Sequence, residues 1–143
     1  MPRVKLELPE CDLYSCEIPV RITDINYGNH LANDALLGLL HEARLMWLRQ
    51  AGFQDEMHIA GAGLILSDAT LIFAQEAFYG DVLHIRLGVA EISKTRFELY
   101  YDIQKIGISI AKAKLTLTCF DYSTRKIVGL AEPLKQALIA AQK

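Results

Sequence analysis

The chain has 143 residues, one domain's worth and enough for a sizeable hydrophobic core. Apolar residues make up 52% and charged ones 22%, more apolar than an average domain. The formal net charge is −2, so no long-range field recruits nucleic acid or an anionic membrane, and the surplus apolar surface predicts a homo-oligomer.

In chain order, residues 1–9 are polar and charged, with no apolar core of a signal peptide. Residues 13–23, LYSCEIPVRIT, predict a strand, and Pro19 predicts that it lies at an edge. Residues 24–33, DINYGNHLAN, form a loop rich in Asp, Asn and Gly. Residues 34–50 predict the clearest helix, with Asn33 as N-cap, Asp34 in the first turn, Arg49 in the last and Gly52 as a left-handed stop. Its leucines cover most of the circumference, which predicts a central helix buried on several sides. Gly38, mid-helix, predicts the close approach of a strand or a partner helix, and Trp47 belongs to the core.

Strands follow at 63–78, 82–91, 96–104 and 108–120, with turns at Tyr79-Gly80-Asp81, Gly107 and 121–125; 126–130 extends the sheet. Residues 132–142 predict a short helix with Pro133 in its first turn. One strand, a helix and then a run of meandering strands is an α+β pattern. Charges interrupt every apolar stretch short of about 18 residues, so no membrane span is expected. Cys11, Cys16 and Cys119 lack the spacing of a disulfide framework or a zinc site, and His41 and His58 stand isolated. These features predict a metal-free, cytoplasmic protein with free thiols.

The loop and helix start carry a registered pattern: Asp24-Ile25-Asn26-Tyr27-Gly28-Asn29-His30-Leu31-Ala32-Asn33, continuing to Glu42-Ala43-Arg44. It resembles the 4-hydroxybenzoyl-CoA thioesterase-like branch of the hotdog superfamily, and FAQEAFYGDVL at 73–83 is a second, weaker match. The sequence departs from the family pattern at Asn29 for a Gly, at Ala32 for an Asn and at Leu36 for an aromatic residue. It departs also at Asn26, where relatives usually carry the second acid of Asp-x-Asp, the one assigned to catalysis. The resemblance implies a hotdog fold, a long central helix wrapped by an antiparallel sheet of about five strands. It also implies hydrolysis of an acyl thioester, on coenzyme A or an acyl carrier protein, by a homodimer or homotetramer without a cofactor.

Such hydrolysis needs a carboxylate to activate water or attack the carbonyl, and donors for the oxyanion. Asp24 is the leading candidate carboxylate and Asp34 the next; a turn residue and a first-turn helix charge are the competing readings. Asn26 positions water or turns the chain. His30 polarises the carbonyl or anchors the loop, and any role of Asn33 beyond capping is indirect. The backbone amides of Leu31 and Ala32 are the expected oxyanion donors. Ser67 or Asp68 would assist from a partner subunit, or else sit on an open face. Lys94, Thr95 and Arg96 would contact the nucleotide end of coenzyme A, or form a solvated turn. Leu31, Leu36, Leu64 and Phe73 are the expected lining of the acyl tunnel. A non-catalytic acyl-binding protein and an enoyl-CoA hydratase are the alternatives on this fold. The hydratase pattern Asp-x-Asn-Pro-x-His is broken here by Tyr27 and by His30, one residue too late.

Overall fold

The computed structural model describes residues 5–141; positions 1–4 of the predicted polar N-terminus and 142 of the predicted last helix lie outside them. Its strands are β1 (Tyr14–Pro19), β2 (Gly63–Phe73), β3 (Val82–Ala90), β4 (Arg96–Lys105), β5 (Ile108–Asp121) and β6 (Lys126–Ile127). Its helices are α1 (Asn33–Gln50) and α2 (Glu132–Ala140), with a 3₁₀ turn at Ile22–Asp24. All strands join one antiparallel sheet in the order β1-β3-β4-β5-β2, with β6 paired to β5. β3, β4 and β5 are the predicted meander. β1, with Pro19 at its end, is one edge as expected, and β2 is the other. The run predicted to reach residue 78 ends at Phe73, because the amides of Ala74 and Gln75 both turn onto the Ile110 carbonyl and leave the ladder.

Strand periodicity sends alternate residues to one face. Ile85, Ile103 and Ala111 are neighbours across β3, β4 and β5, as are Leu87, Tyr101 and Ala113, and none is exposed. α1 lies on this face. It buries Leu36, Leu39, Leu40, Ala43, Trp47 and Leu48, and Trp47 meets Phe97 edge-on at 6.4 Å between ring centroids. Its opposite side, with Gly38, His41, Glu42 and Arg49, is exposed, so the helix is buried along a broad stripe and not on all sides. A Cβ on Gly38 would meet nothing within 4 Å, and no described part of the chain makes the close approach predicted there. Gly38→Ala is therefore expected to stabilise the fold by about 0.5–1 kcal/mol, read as a higher urea midpoint with an unchanged m-value.

One charge is buried on the sheet side of α1. Arg44 donates through Nε to Glu56 Oε1 at 2.9 Å, and its Nη1 lies 3.5 Å from the Tyr101 hydroxyl. His41 Nε2 reaches the same Glu56 oxygen at 2.9 Å. Burial opposes the Arg44 charge, but Tyr101 and Glu56 hold its pKa above the ordinary value. Burial pushes the Tyr101 phenol up to about 12, so it stays a neutral hydroxyl at ordinary pH.

The predicted turn before β3 is fixed by Asp81, which accepts the Phe78 amide at 2.8 Å and the Lys105 ammonium at 3.0 Å. Burial works against this carboxylate, yet those two donors hold its pKa below the ordinary 3.8. A depressed folded value means that its contribution is complete above the unfolded value and is lost as pH falls through the folded one. The melting-temperature gap between wild type and Asp81→Asn is expected to be constant near neutrality and to close below about pH 4.

Candidate functional site

The loop between β1 and α1 folds back on itself. The Asn26 amide donates to the His30 carbonyl at 3.1 Å, the Asn29 amide to the Asn26 carbonyl at 3.0 Å, and the Gly28 amide to Asn26 Oδ1 at 2.9 Å. Asn29 has φ 63°, a left-handed conformation that Asn tolerates better than most residues. That accounts for Asn at a position where relatives carry Gly. The polar side chain of Asn26 is thus spent on turning the chain.

Two long-range bonds set the loop against the fold. The Leu31 amide donates to the Ala77 carbonyl at 2.7 Å, and the Ala32 amide to the Asp24 carbonyl at 2.9 Å. Neither amide is free for an oxyanion, contrary to the expectation above. Holding Ala32 extended (φ −72°, ψ 147°) also makes it the N-cap in place of Asn33, which becomes the first helical residue. No side chain caps this end. The amides of Asn33, Asp34 and Ala35 find no backbone acceptor among the described residues, and they sit at the positive end of the α1 dipole. The unpaired amides therefore lie just beyond the two predicted, at Asn33, Asp34 and Ala35.

A cavity of about 190 Å³ opens at this helix start, where residues 74–77 cross it after leaving β2. Leu31, Leu36, Phe73, Ala77 and Ile110 give it an apolar wall, and His30, Asn33, Gln75 and Glu76 a polar one. Three of the four predicted lining residues are present. Leu64 is not, because it sits at the far end of β2, donating its amide to Glu56 and accepting the Tyr122 hydroxyl.

Asp24 does not line the cavity. Its carboxylate is 5% exposed and fully engaged by one residue: Oδ2 accepts the Arg21 amide at 2.8 Å and Nε at 3.2 Å, and Oδ1 accepts Nη2 at 3.2 Å. Asp34 is an exposed first-turn charge. The carboxylate that does reach the cavity is Glu76, whose Oε2 lies 3.2 Å from His30 Nε2. Sequence reasoning missed Glu76 although it stands inside the second matched stretch, FAQEAFYGDVL, where only the aromatic residue and Gly-Asp were read as signal.

Ser67 and Asp68 sit at a bulge in β2 and are exposed, held by Thr118 and Thr116 of β5. Lys94, Thr95 and Arg96 precede or open β4; the carbonyls of Lys94 and Thr95 accept the amides of Leu130 and Cys119. Arg96 is level with Thr118 on β5, eight residues from Ile110 at the cavity, about 26 Å at about 3.3 Å per residue. One chain does not bring its basic stretch to its own cavity.

A helix buried on an antiparallel sheet, with a cavity at the helix start, is the architecture of a hotdog protein. The chain belongs to the thioesterase-like superfamily, whose family model matches residues 20–138. It is 33% identical over 105 residues to a 1,4-dihydroxy-2-naphthoyl-CoA hydrolase of Microcystis aeruginosa, covering 72% of this chain and 76% of that one. It is 32% identical over 98 residues to a putative esterase of Aquifex aeolicus, covering 68% and 75%. In fold it is similar to a 1,4-dihydroxy-2-naphthoyl-CoA thioesterase from Synechocystis, with TM-score 0.80, 24% identity and coverage of 91% and 98%. It is similar also to a gentisyl-coenzyme A thioesterase, with TM-score 0.77, 18% identity and coverage of 87% and 99%.

Proposed function

We propose that this chain hydrolyses a coenzyme A thioester of a compact acyl group, seated in the cavity at the start of α1. Thioester hydrolysis is the reaction of the family. What supports this location is the run of unpaired amides of Asn33, Asp34 and Ala35 at the helix start, whose first residue, Asn33, lines the cavity. Those donors lie at a helix N-terminus and need no reorganisation when negative charge develops on the carbonyl oxygen. The cavity volume favours a short or single-ring acyl group over a long chain.

The working form is a homo-oligomer. β2 is an open edge, and Ile65 and Leu66 on it are 38% and 43% exposed. A second copy pairing antiparallel along that edge would complete the ladder and cover both residues. It would also carry the Arg96 end of one sheet toward the Phe73 end of the other, which supports Lys94, Thr95 and Arg96 as contacts for the partner's coenzyme A phosphates. The three cysteines are free thiols, in keeping with a reducing, cytoplasmic setting. No helix of the described residues is long and apolar enough to cross a membrane.

The test is a crystal structure with a non-hydrolysable acyl-CoA thioether carrying a ketone oxygen in place of the thioester carbonyl. The oxygen is expected within hydrogen-bond distance of the Asn33–Ala35 amides, with the acyl group against Leu36. An acyl group lodged elsewhere, such as the groove between Lys94 and Lys135, would overturn the reading.

A further inference from the structure

We infer that Glu76 is the carboxylate that activates water in this site, with His30 as its positioning residue; this rests on the thioesterase reading above. Three observations carry it. Among the residues lining the cavity Glu76 is the one carboxylate, while Asp24 is held by three Arg21 donors outside it. Glu76 follows directly from the strand whose end forms the cavity wall, and its neighbour Ala77 is pinned by the Leu31 amide, which sets its backbone against the helix start. The third is the His30 ring itself.

Each nitrogen of that ring faces an oxygen. Nδ1 lies 3.1 Å from the Leu31 carbonyl, which can only accept, so Nδ1 carries a proton. Nε2 faces Glu76 Oε2 at 3.2 Å. That contact orients the Glu76 carboxylate at the cavity wall. Gly28 keeps this edge of the ring open: a Cβ there would lie 3.1 Å from His30 Nε2 and 3.3 Å from Asn26 Oδ1. A carboxyl group that can take up and return a proton thus lines the same cavity as Asn33, the first residue of the unpaired helix start. Asn26, in the loop, is an amide that cannot act as a base, and its oxygen is engaged in the turn. Glu76 supplies from the β2–β3 connection the charge that the loop lacks.

The step balances without any further reagent. Glu76 takes a proton from water as the water oxygen bonds to the thioester carbon, and the carbonyl π pair moves to oxygen, facing the α1 amides. When that pair returns, the C–S bond breaks with its electrons on sulfur. The thiolate takes the proton from Glu76, leaving acid, thiol and the original carboxylate.

The test compares kcat and KM for thiol release from the best acyl-CoA ester by wild type, Glu76→Gln, Glu76→Ala and Asp24→Asn. Glu76 is 61% exposed in its side chain, so its variants should fold, which circular dichroism and a melting curve verify. Glu76→Gln is expected to lose about 100-fold or more in kcat with KM little changed. Glu76→Ala should regain activity in a saturable way with added acetate, which a merely structural side chain would not allow. If wild type turns over and Glu76→Gln stays within about threefold of it, or if Asp24→Asn alone abolishes kcat in a folded protein, Glu76 is not the base and the thioesterase reading survives. If wild type itself releases no thiol, both readings fall.

Discussion

Glu56→Ala is expected to cost the fold about 3–5 kcal/mol, the range for removing one partner of a buried ion pair. Arg44 sits on α1 with 6% of its surface exposed, beneath the helix and above β4. Its Nε donates to Glu56 at 2.9 Å, and its other contact, to the Tyr101 hydroxyl, is at the 3.5 Å limit of a hydrogen bond. Without Glu56 the guanidinium keeps its desolvation cost and loses the one acidic partner it has among the described residues. Glu56 also takes His41, and its carbonyl accepts the Leu64 amide, so the 53–62 loop is tied to the helix through this residue. The magnitude is readable against a control. In Arg44→Met/Glu56→Ala the charge is gone along with its partner, and much of the loss should be recovered. Urea unfolding of the single and double variants checks this; equal losses in both would mean that the site matters through packing and not through charge.

Asn33→Pro is expected to lower kcat for thiol release about 100- to 1,000-fold while leaving the fold intact, compared with Asn33→Ala, which removes the same side chain but keeps the amide. Asn33 is the first residue of α1, where proline is well tolerated because its missing N–H has no helical partner. Ala32 before it is already extended at φ −72° and ψ 147°, the region a residue preceding proline prefers. The substitution therefore deletes one hydrogen-bond donor at the cavity mouth and little else. If the Asn33 amide holds the oxyanion, the loss appears in kcat and kcat/KM together. A proline variant as active as the alanine variant would remove Asn33 from the oxyanion hole.

The elements were legible because they depend on local pattern. The helix with Asp34 in its first turn and Gly52 beyond its last is found at Asn33–Gln50, and Gly52 has the left-handed φ of 101° that its role requires. The α+β order follows from strand periodicity and short connections, the resemblance carried by residues 24–44 implied the hotdog arrangement, and Pro19 marked the edge it occupies. What local pattern does not show is what depends on distance across the fold. The linear motif singles out Asp24 but does not show that its carboxylate is paired with Arg21, three residues away in a 3₁₀ turn. Glu76 reaches His30 only because β2 leaves the sheet at Phe73 and the Leu31–Ala77 bond draws the two loops together. The pairing of Arg44 with Glu56 shows only when the helix face and the returning loop are placed together. The basic stretch at Lys94 lies well away from the cavity of its own chain, a separation that the register of β5 sets.

The most direct measurement is free-thiol release by the wild-type chain from a panel of coenzyme A esters, from a short aliphatic acyl group to a long one, with one aromatic ring among them. Equimolar thiol and free acid are predicted, fastest for the compact or aromatic esters that the cavity at α1 accommodates. A folded chain that binds the acyl-CoA thioether yet releases no thiol from any ester would contradict the account, and would leave an acyl-binding protein on a thioesterase fold.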